Sequence, residues 1–149
     1  MKIDKILIRI AKKLESVNYA FIGSANLYIQ GLKVEPRDID ILTDVEGIKE
    51  IDKILAEYRT KEIYFDESEG RNSFRSFYKI EGIEIEVLGN VNSIARRPEA
   101  LEKNFLINFN GVNIPCFLIV DELEAYRKMG RTEKVEIIEK FLVNKKRAV

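Results

Sequence analysis

The chain has 149 residues, of which 46% are hydrophobic and 34% charged, and 25 basic side chains balance 25 acidic ones. Histidine is absent and cysteine occurs once, which excludes histidine-based triads, histidine–metal sites, an intrachain disulfide and a cysteine-cluster zinc site. No apolar run approaches the ~18 residues of a membrane helix. Zero net charge gives no sign of general attraction to nucleic acid or anionic membranes. We therefore expect one soluble, cytoplasmic domain over residues 1–149 without a membrane partner.

The first half of the chain alternates helical and extended patterns. Apolar spacing predicts, in chain order, a helix over 4–16, a buried strand over 19–22, a short helix over 25–30, a strand over 38–43 and a helix from 45 to about 58. Ser24 is the expected N-cap of the second helix and Asp44 that of the third, because short polar side chains satisfy the first free N–H groups of a helix.

The second half is richer in strands. The predicted strands are 62–66, 75–80, 83–88, 105–109 and 113–119, followed by helices over 121–129 and 132–145. Glu81-Gly82 and Asn110-Gly111 are typical of hairpin turns. The pattern predicts an α/β (α+β) fold with a mixed sheet flanked by helices and a helical C-terminus. The apolar hairpin 105–119 is a candidate interface for a homo-oligomer.

Two aspartates lie two positions apart in the predicted strand 38–43. Residues i and i+2 of a strand face the same side, with Cα atoms about 6.6–6.8 Å apart, so Asp38 and Asp40 converge while Ile39 points away. Paired carboxylates can hold Mg²⁺, and two-metal sites clamp the attacking and leaving oxygens of an in-line displacement. Such alternation also occurs in ordinary half-buried strands, so the pair alone leaves both interpretations open.

A glycine and a serine separate the strand 19–22 from the helix that follows. Glycine lets another group approach the backbone closely, and a serine that opens a helix brings its hydroxyl and free N–H groups together, as in an anion site. A plain N-cap also explains Ser24. However, Asp38 follows 14 residues after Ser24, and this ordered set of strand, Gly23, Ser24, helix and acidic strand favours a phosphate site beside a metal site.

A third carboxylate is available on the predicted strand 83–88. Glu84 and Glu86 share one face of this strand, and either could join the aspartate pair. Glu86 is the better candidate because Val87 and Leu88 carry the strand into the core. Two surface glutamates on a solvated edge are the alternative, which is favoured for Glu84.

Together, the segments 21–24, 37–42 and 85–88 resemble the nucleotidyltransferase superfamily of DNA polymerase beta type. They are most similar to the small, minimal nucleotidyltransferases of archaea and bacteria, which include members paired with toxin or antitoxin proteins. The resemblance covers roughly residues 19–90, and the motif residues occur in the family order. The chain departs from the family pattern at the third acid, which is Glu rather than the commoner Asp.

The resemblance implies a role for each matching position. Gly23 and Ser24 would hold the β- and γ-phosphates of a nucleoside triphosphate, Asp38 and Asp40 would ligate Mg²⁺, with two ions expected, and Glu86 would complete the metal site or help to deprotonate the acceptor hydroxyl. The reaction would move a nucleoside monophosphate to that hydroxyl and release pyrophosphate. The acceptor could be a protein, a tRNA or a small molecule.

Alternatives to this interpretation stay open at the level of sequence. The same fold could bind nucleotide without catalysis, or act as one partner of a toxin–antitoxin pair. Arg96 and Arg97 are expected to be a surface pair. The cations Arg131 and Lys134 are expected on a solvated helix face, unless the last helices fold back over the site and contact phosphates.

Overall fold

A seven-stranded mixed sheet forms the centre of the fold. In chain order its strands are β1 (Tyr19–Ile22), β2 (Ile39–Thr43), β3 (Arg59–Ser68), β4 (Arg71–Ile80), β5 (Ile83–Ser93), β6 (Asn104–Phe109) and β7 (Val112–Phe117). The order across the sheet is β3-β4-β5-β2-β1-β7-β6. Strand β1 is parallel to β7 and β2 is parallel to β5, whereas the other neighbours are antiparallel. This computed structural model describes residues 2–68 and 70–147.

The helices flank this sheet and close the chain. They are α1 (Lys2–Lys13), α2 (Gly23–Ile29), α3 (Val45–Ile54), α4 (Ile119–Lys128) and α5 (Thr132–Arg147), with short 3-10 helices at Ala56–Tyr58 and Pro98–Lys103. The predicted mixed sheet with flanking helices and a helical C-terminus is confirmed. Within the described ranges, every helix is too short or too polar to cross a membrane.

Strand β2 shows how the sequence divides the two faces of the sheet. Ile39 and Ile41 are fully buried in the larger apolar core, where α1 and α3 pack. Asp40 lies between them and therefore points to the opposite face. That face has a smaller apolar cluster, made of Ala20, Ile22, Leu42, Val91, Leu101 and Phe117. The carboxylate of Asp40 is thus placed on the side of the sheet with the smaller apolar cluster.

A third apolar cluster ties the end of the chain to its beginning. Leu27 in α2 and the adjacent Leu32 pack with residues of α4 and α5, among them Leu123 and Ile138. Because α2 starts directly after β1, this packing brings the first turn of α5 beside the β1–α2 junction. The last helices therefore do fold back over the candidate site.

The hairpin turns are where the sequence predicted them. Glu81 and Gly82 join β4 to β5, Asn110 and Gly111 join β6 to β7, and all four residues have positive φ angles, as two-residue hairpin turns require. The β6–β7 hairpin leaves Leu106 63% exposed at the sheet edge. The interface between copies of the chain that we expect there stays a prediction.

Of the two predicted N-caps, one is confirmed and one is wrong. The Asp44 carboxylate accepts a hydrogen bond from the Gly47 N–H at 2.6 Å, at the start of α3. Ser24, in contrast, is not a cap, because α2 already begins at Gly23 and its N-cap position is Ile22, whose side chain makes no cap hydrogen bond. The reason lies in the tertiary structure: the N–H of Gly23 has a partner from a distant helix, described below.

Replacing the confirmed cap tests its contribution to stability. Asp44→Ala removes the acceptor of the Gly47 N–H, so the free energy of unfolding should fall by about 0.5–2 kcal/mol. Urea unfolding followed by circular dichroism measures the change. Glu136→Ala on the exposed face of α5 is the control and should stay within about 0.5 kcal/mol of wild type. Equal effects of the two substitutions would contradict the assignment.

Candidate active site

Three segments that are distant in sequence meet at the centre of the sheet. Strand β2 lies between β1 and β5, and Asp40 is in register with Ile22 on β1 and with Glu86 on β5. Neighbouring strands are about 4.8 Å apart, so the side chains of Asp40 and Glu86 stand next to each other on one face. The junction of β1 and α2, at Gly23, adjoins the same point.

The other two acidic candidates lie at the edge of this group. Asp38 precedes β2 by one residue and is exposed, and its charge is felt at Asp40. Glu84 is also exposed and pairs across the sheet with Lys79 on β4. Of the two glutamates, Glu86 is therefore the one placed against Asp40.

Asp40 carries the most perturbed acidity in the site. Its pKa is raised from 3.8 to about 7, first because burial disfavours the charged form and then because Glu86, Asp38 and Glu122 add negative charge, against a smaller opposite effect of Arg96. Negative charge is thus concentrated around one carboxylate in a partly dry environment. A bound cation would relieve this repulsion.

Gly23 makes room for the Asp40 carboxylate. Gly23 has a φ angle of +69°, and a Cβ atom at this position would lie 2.9 Å from Oδ2 of Asp40. The sequence suggested that another group approaches the backbone closely at Gly23, and in the structure that group is the Asp40 carboxylate. An L-residue here would be strained in its backbone and would also displace Asp40.

Sequence reasoning missed a buried ion pair beneath this glycine. Glu122 of α4 is fully buried, accepts the Gly23 N–H at 2.5 Å and binds Nη2 of Arg96 at 2.6 Å. The prediction that Arg96 is a surface residue is wrong, since only 9% of its side chain is exposed and it lies over the ring of Phe117. Glu122 looks like any other acid in the first turn of a helix, so no local signal marks it.

Glu86 also has a cationic partner. Nη2 of Arg75 on β4 lies 2.6 Å from Oε1 of Glu86, and Nη1 of the same arginine lies 2.9 Å from Oδ2 of Asp66. Arg75 therefore bridges a site carboxylate and a carboxylate on β3. The two arginines, Arg75 and Arg96, balance part of the negative charge that surrounds Asp40.

Beside these carboxylates is a cavity of about 200 Å³. Residues that line it include Asp40, Glu86, Arg71, Arg96, Arg131 and Tyr126. The cavity thus has carboxylates and guanidinium groups on its walls. A ligand that combines a divalent cation with a polyanion matches this arrangement of charge.

The C-terminal helices supply a further cation. Nζ of Lys134 in α5 donates a hydrogen bond to Oγ of Ser24 at 3.2 Å. The expectation that Lys134 lies on a solvated face is wrong, because the packing of α5 against α2 turns this side chain toward the β1–α2 junction. Arg131 lies over the ring of Tyr126 at the cavity wall.

The donor set fits a hard divalent cation. Among residues 2–68 and 70–147, no three or more acidic or cysteine side chains are gathered closely enough to hold a metal ion as they stand. Asp40 and Glu86 nevertheless present carboxylate oxygens side by side, and these are the ligands that Mg²⁺ takes in proteins. Burial and the neighbouring carboxylates raise the pKa of Asp40, so a bound cation would favour its charged form.

Comparison with known proteins finds similarity to solved structures. A scan of protein-family models gives no match, and a search of curated proteins gives none. A Thermotoga maritima protein (TM1012), provisionally assigned as a nucleotidyltransferase, is 32% identical with a TM-score of 0.80, and the match covers 94% of this chain and 92% of that one. ANT(2")-Ia, solved in complex with adenylyl-2"-tobramycin, is 12% identical with a TM-score of 0.63, over 98% and 92% of the two chains. The second match shows a shared fold.

Alanine at Gly23 tests the contact with Asp40, and Gly31 offers a matched control. Both glycines have positive φ, but a Cβ at Gly31 has nothing within 4 Å. Gly31→Ala should cost about 1–2 kcal/mol for the backbone alone. Gly23→Ala should cost at least ~1 kcal/mol more, because it also displaces Asp40. Urea unfolding of both variants measures the difference, and equal losses would rule out a contribution from the Asp40 contact.

The acidity of Asp40 makes stability depend on pH. With a pKa raised from 3.8 to about 7 in the native state, native Asp40 holds its proton more tightly than unfolded Asp40 does. Its contribution to stability is therefore complete below pH ~4 and is lost as pH rises through 7, by up to roughly 4 kcal/mol. Metal-free urea unfolding between pH 4 and 8 measures this loss.

Two variants show how much of the loss of stability with rising pH is due to Asp40. Asp40→Asn should remove this fall in stability, whereas Glu84→Gln on the exposed end of the same strand pair should retain it. Parallel stability curves for wild type and Asp40→Asn over this pH range would refute the assignment.

Proposed function

The chain belongs to the nucleotidyltransferase family of the Thermotoga maritima protein, and on that basis we propose that it moves a nucleoside monophosphate from a nucleoside triphosphate to an acceptor hydroxyl. The observation that carries the proposal is the in-register pairing of Asp40 with Glu86 beside Gly23. This pairing joins segments 46 residues apart into one acidic site. The shared fold with ANT(2")-Ia, a structure that holds an adenylylated product, agrees with such chemistry.

We propose that Asp38, Asp40 and Glu86 hold Mg²⁺, with two ions expected. The raised pKa of Asp40 supports this, since a cation would stabilise its charged form. When bound, Mg²⁺ supplies neutralisation of charge on the phosphate groups and on the oxygens that attack and leave. The protein's part is to keep these carboxylates on adjacent strands of a rigid sheet.

We propose that the triphosphate of the nucleotide binds at the β1–α2 junction. Ser24 offers its hydroxyl there, and Lys134 already donates to that oxygen, so its ammonium group is in place to meet a phosphate. Arg131 at the cavity wall adds a second cation from the same end of the chain. Gly23 takes part mainly by leaving space, because its N–H is already bound to Glu122.

The reaction follows from these positions. The acceptor hydroxyl oxygen forms a bond to the α-phosphorus, and the bond from that phosphorus to the oxygen bridging the β-phosphate breaks. Pyrophosphate leaves with the electron pair of that bond, and the hydroxyl proton passes to a site carboxylate, for which Glu86 is the candidate. Rate acceleration in such transfers comes from positioning and from stabilisation of charge.

Binding of nucleotide without transfer is the second candidate function. It is favoured by one observation: Glu86 is engaged by Arg75 at 2.6 Å. In that case the chain would act as a nucleotide-binding partner of another protein, as in a toxin–antitoxin pair.

In the first candidate function, which transfers the nucleotide, the acceptor would be a protein, a tRNA or a small molecule.

Calorimetric titration with each nucleoside triphosphate, with and without Mg²⁺, tests the proposal before the acceptor is known. Wild-type protein should bind at least one triphosphate in a Mg²⁺-dependent way. The Asp38→Asn/Asp40→Asn variant should lose more than the roughly 10–100-fold that removing an outer partner of a metal ligand costs, because the carboxylates that hold the cation are themselves gone. Release of pyrophosphate in the presence of candidate acceptors then separates transfer from binding alone.

Glu84→Gln is the matched control for the double variant, since Glu84 is exposed and faces Lys79. Its triphosphate affinity should equal that of wild type. Binding that ignores Mg²⁺, or that survives the loss of both aspartates, would overturn the proposed site. Mg²⁺-dependent binding with no pyrophosphate release from any acceptor would favour the second candidate function.

A further inference from the structure

Arg75 is bound directly to Glu86 through its guanidinium group. Its guanidinium lies 2.6 Å from Glu86 Oε1 and 2.9 Å from Asp66 Oδ2, and the three side chains are only 18%, 21% and 24% exposed. Partial burial makes such an ion pair stronger than one on the surface. Of the cations whose ion pairs the structure describes, Arg75 is the one bound directly to a proposed metal ligand.

The guanidinium is fixed from several directions. It lies 5.4 Å from the centre of the Phe77 ring, and Phe77 is in register with Glu86. Its Nε is buried without a hydrogen-bond partner among the described residues. Each of its two terminal nitrogens binds one carboxylate, Nη1 that of Asp66 and Nη2 that of Glu86. The planar guanidinium can therefore bridge both groups, which the single ammonium of a lysine could not do in the same way.

The charges of this group are only partly balanced by Arg75. Asp40 and Glu86 lie side by side on adjacent strands, with Asp38 at the edge of the group, and Arg75 supplies one positive charge that Glu86 shares with Asp66. A divalent cation would neutralise the group better. It would need the same Glu86 carboxylate that Arg75 now holds.

We propose that Arg75 is a positioning residue that holds Glu86 in the metal-free protein and gives it up to the metal ion. This inference rests on the proposed function, because it takes Glu86 as a metal ligand. Asp66 keeps its hold on Nη1 during the exchange, so Arg75 stays within reach and recovers Glu86 when the metal leaves. Metal binding without nucleotide is weak as a result, since the ion must first displace the arginine.

Direct titration of the full chain with Mn²⁺, in the absence of nucleotide, tests the exchange. Free Mn²⁺ is read by electron paramagnetic resonance, and Mn²⁺ is the probe for a site of carboxylate oxygens. Arg75→Met should bind Mn²⁺ at least roughly tenfold more tightly than wild type, because its competitor for Glu86 is gone. Adding Glu86→Gln to Arg75→Met should abolish the gain.

Lys79→Met is the charge-matched control, since Lys79 lies on the same strand but is in register with Glu84. Its Mn²⁺ affinity should equal that of wild type. An Arg75→Met variant that binds no more tightly than wild type overturns the inference, and so does a gain shared with Lys79→Met or kept after Glu86→Gln. If Arg75→Met does not fold, as judged by its thermal transition, Arg75→Lys gives the same readout with a smaller gain.

These outcomes are separate from those that bear on the proposed function. Triphosphate binding and pyrophosphate release by wild-type protein decide the function, whatever Arg75→Met does. Normal triphosphate binding with unchanged Mn²⁺ affinity in Arg75→Met overturns the exchange alone. Absence of triphosphate binding overturns the function, while a Glu86-dependent gain in Mn²⁺ affinity still supports Arg75 as the competitor of a cation.

Discussion

The concentration of negative charge around Asp40 is the constraint on which the rest of the site depends. Period-two alternation in β2 forces this carboxylate out of the main core while its neighbours Ile39 and Ile41 enter it. The residue packed against this carboxylate is Gly23, because a Cβ atom there would lie too close to Oδ2 of Asp40. Arg96 brings compensating charge to Asp40, and Arg75 brings it to the neighbouring Glu86. The fold supplies stability, and this small polar group forms the candidate site.

The parts of the site that could be predicted from sequence are those that local periodicity determines. Alternation along one strand predicted that Asp38 and Asp40 share a face, and alternation on another strand put Glu84 and Glu86 together, where the apolar residues after Glu86 favoured it. The sheet brings Asp40 and Glu86 into register. The hairpin turns could also be predicted from local sequence, because a two-residue turn such as Glu81-Gly82 requires only residues that adopt positive φ angles.

What could not be predicted depends on contacts between distant segments. Glu122 and Arg96 are 26 residues apart, and only the packing of α4 against the β1–α2 junction buries them. The wrong N-cap at Ser24 has the same origin, because the Gly23 N–H takes its partner from α4 instead of from its own helix. Propensity rules describe a helix in isolation, and here tertiary structure supplied the cap.

The hydrogen bond from Gly23 to Glu122 spans 99 residues of sequence, which has a consequence for the order of assembly during synthesis. All the acidic candidates have left the ribosome long before α4 does, yet the turn at Gly23 has no partner for its N–H until then. Closing so long a loop costs entropy, which the pairing of β1 with β7 and the packing of α4 and α5 repay. The acidic residues therefore emerge in an unfinished pocket, and the candidate site is complete only once β7, α4 and α5 have docked.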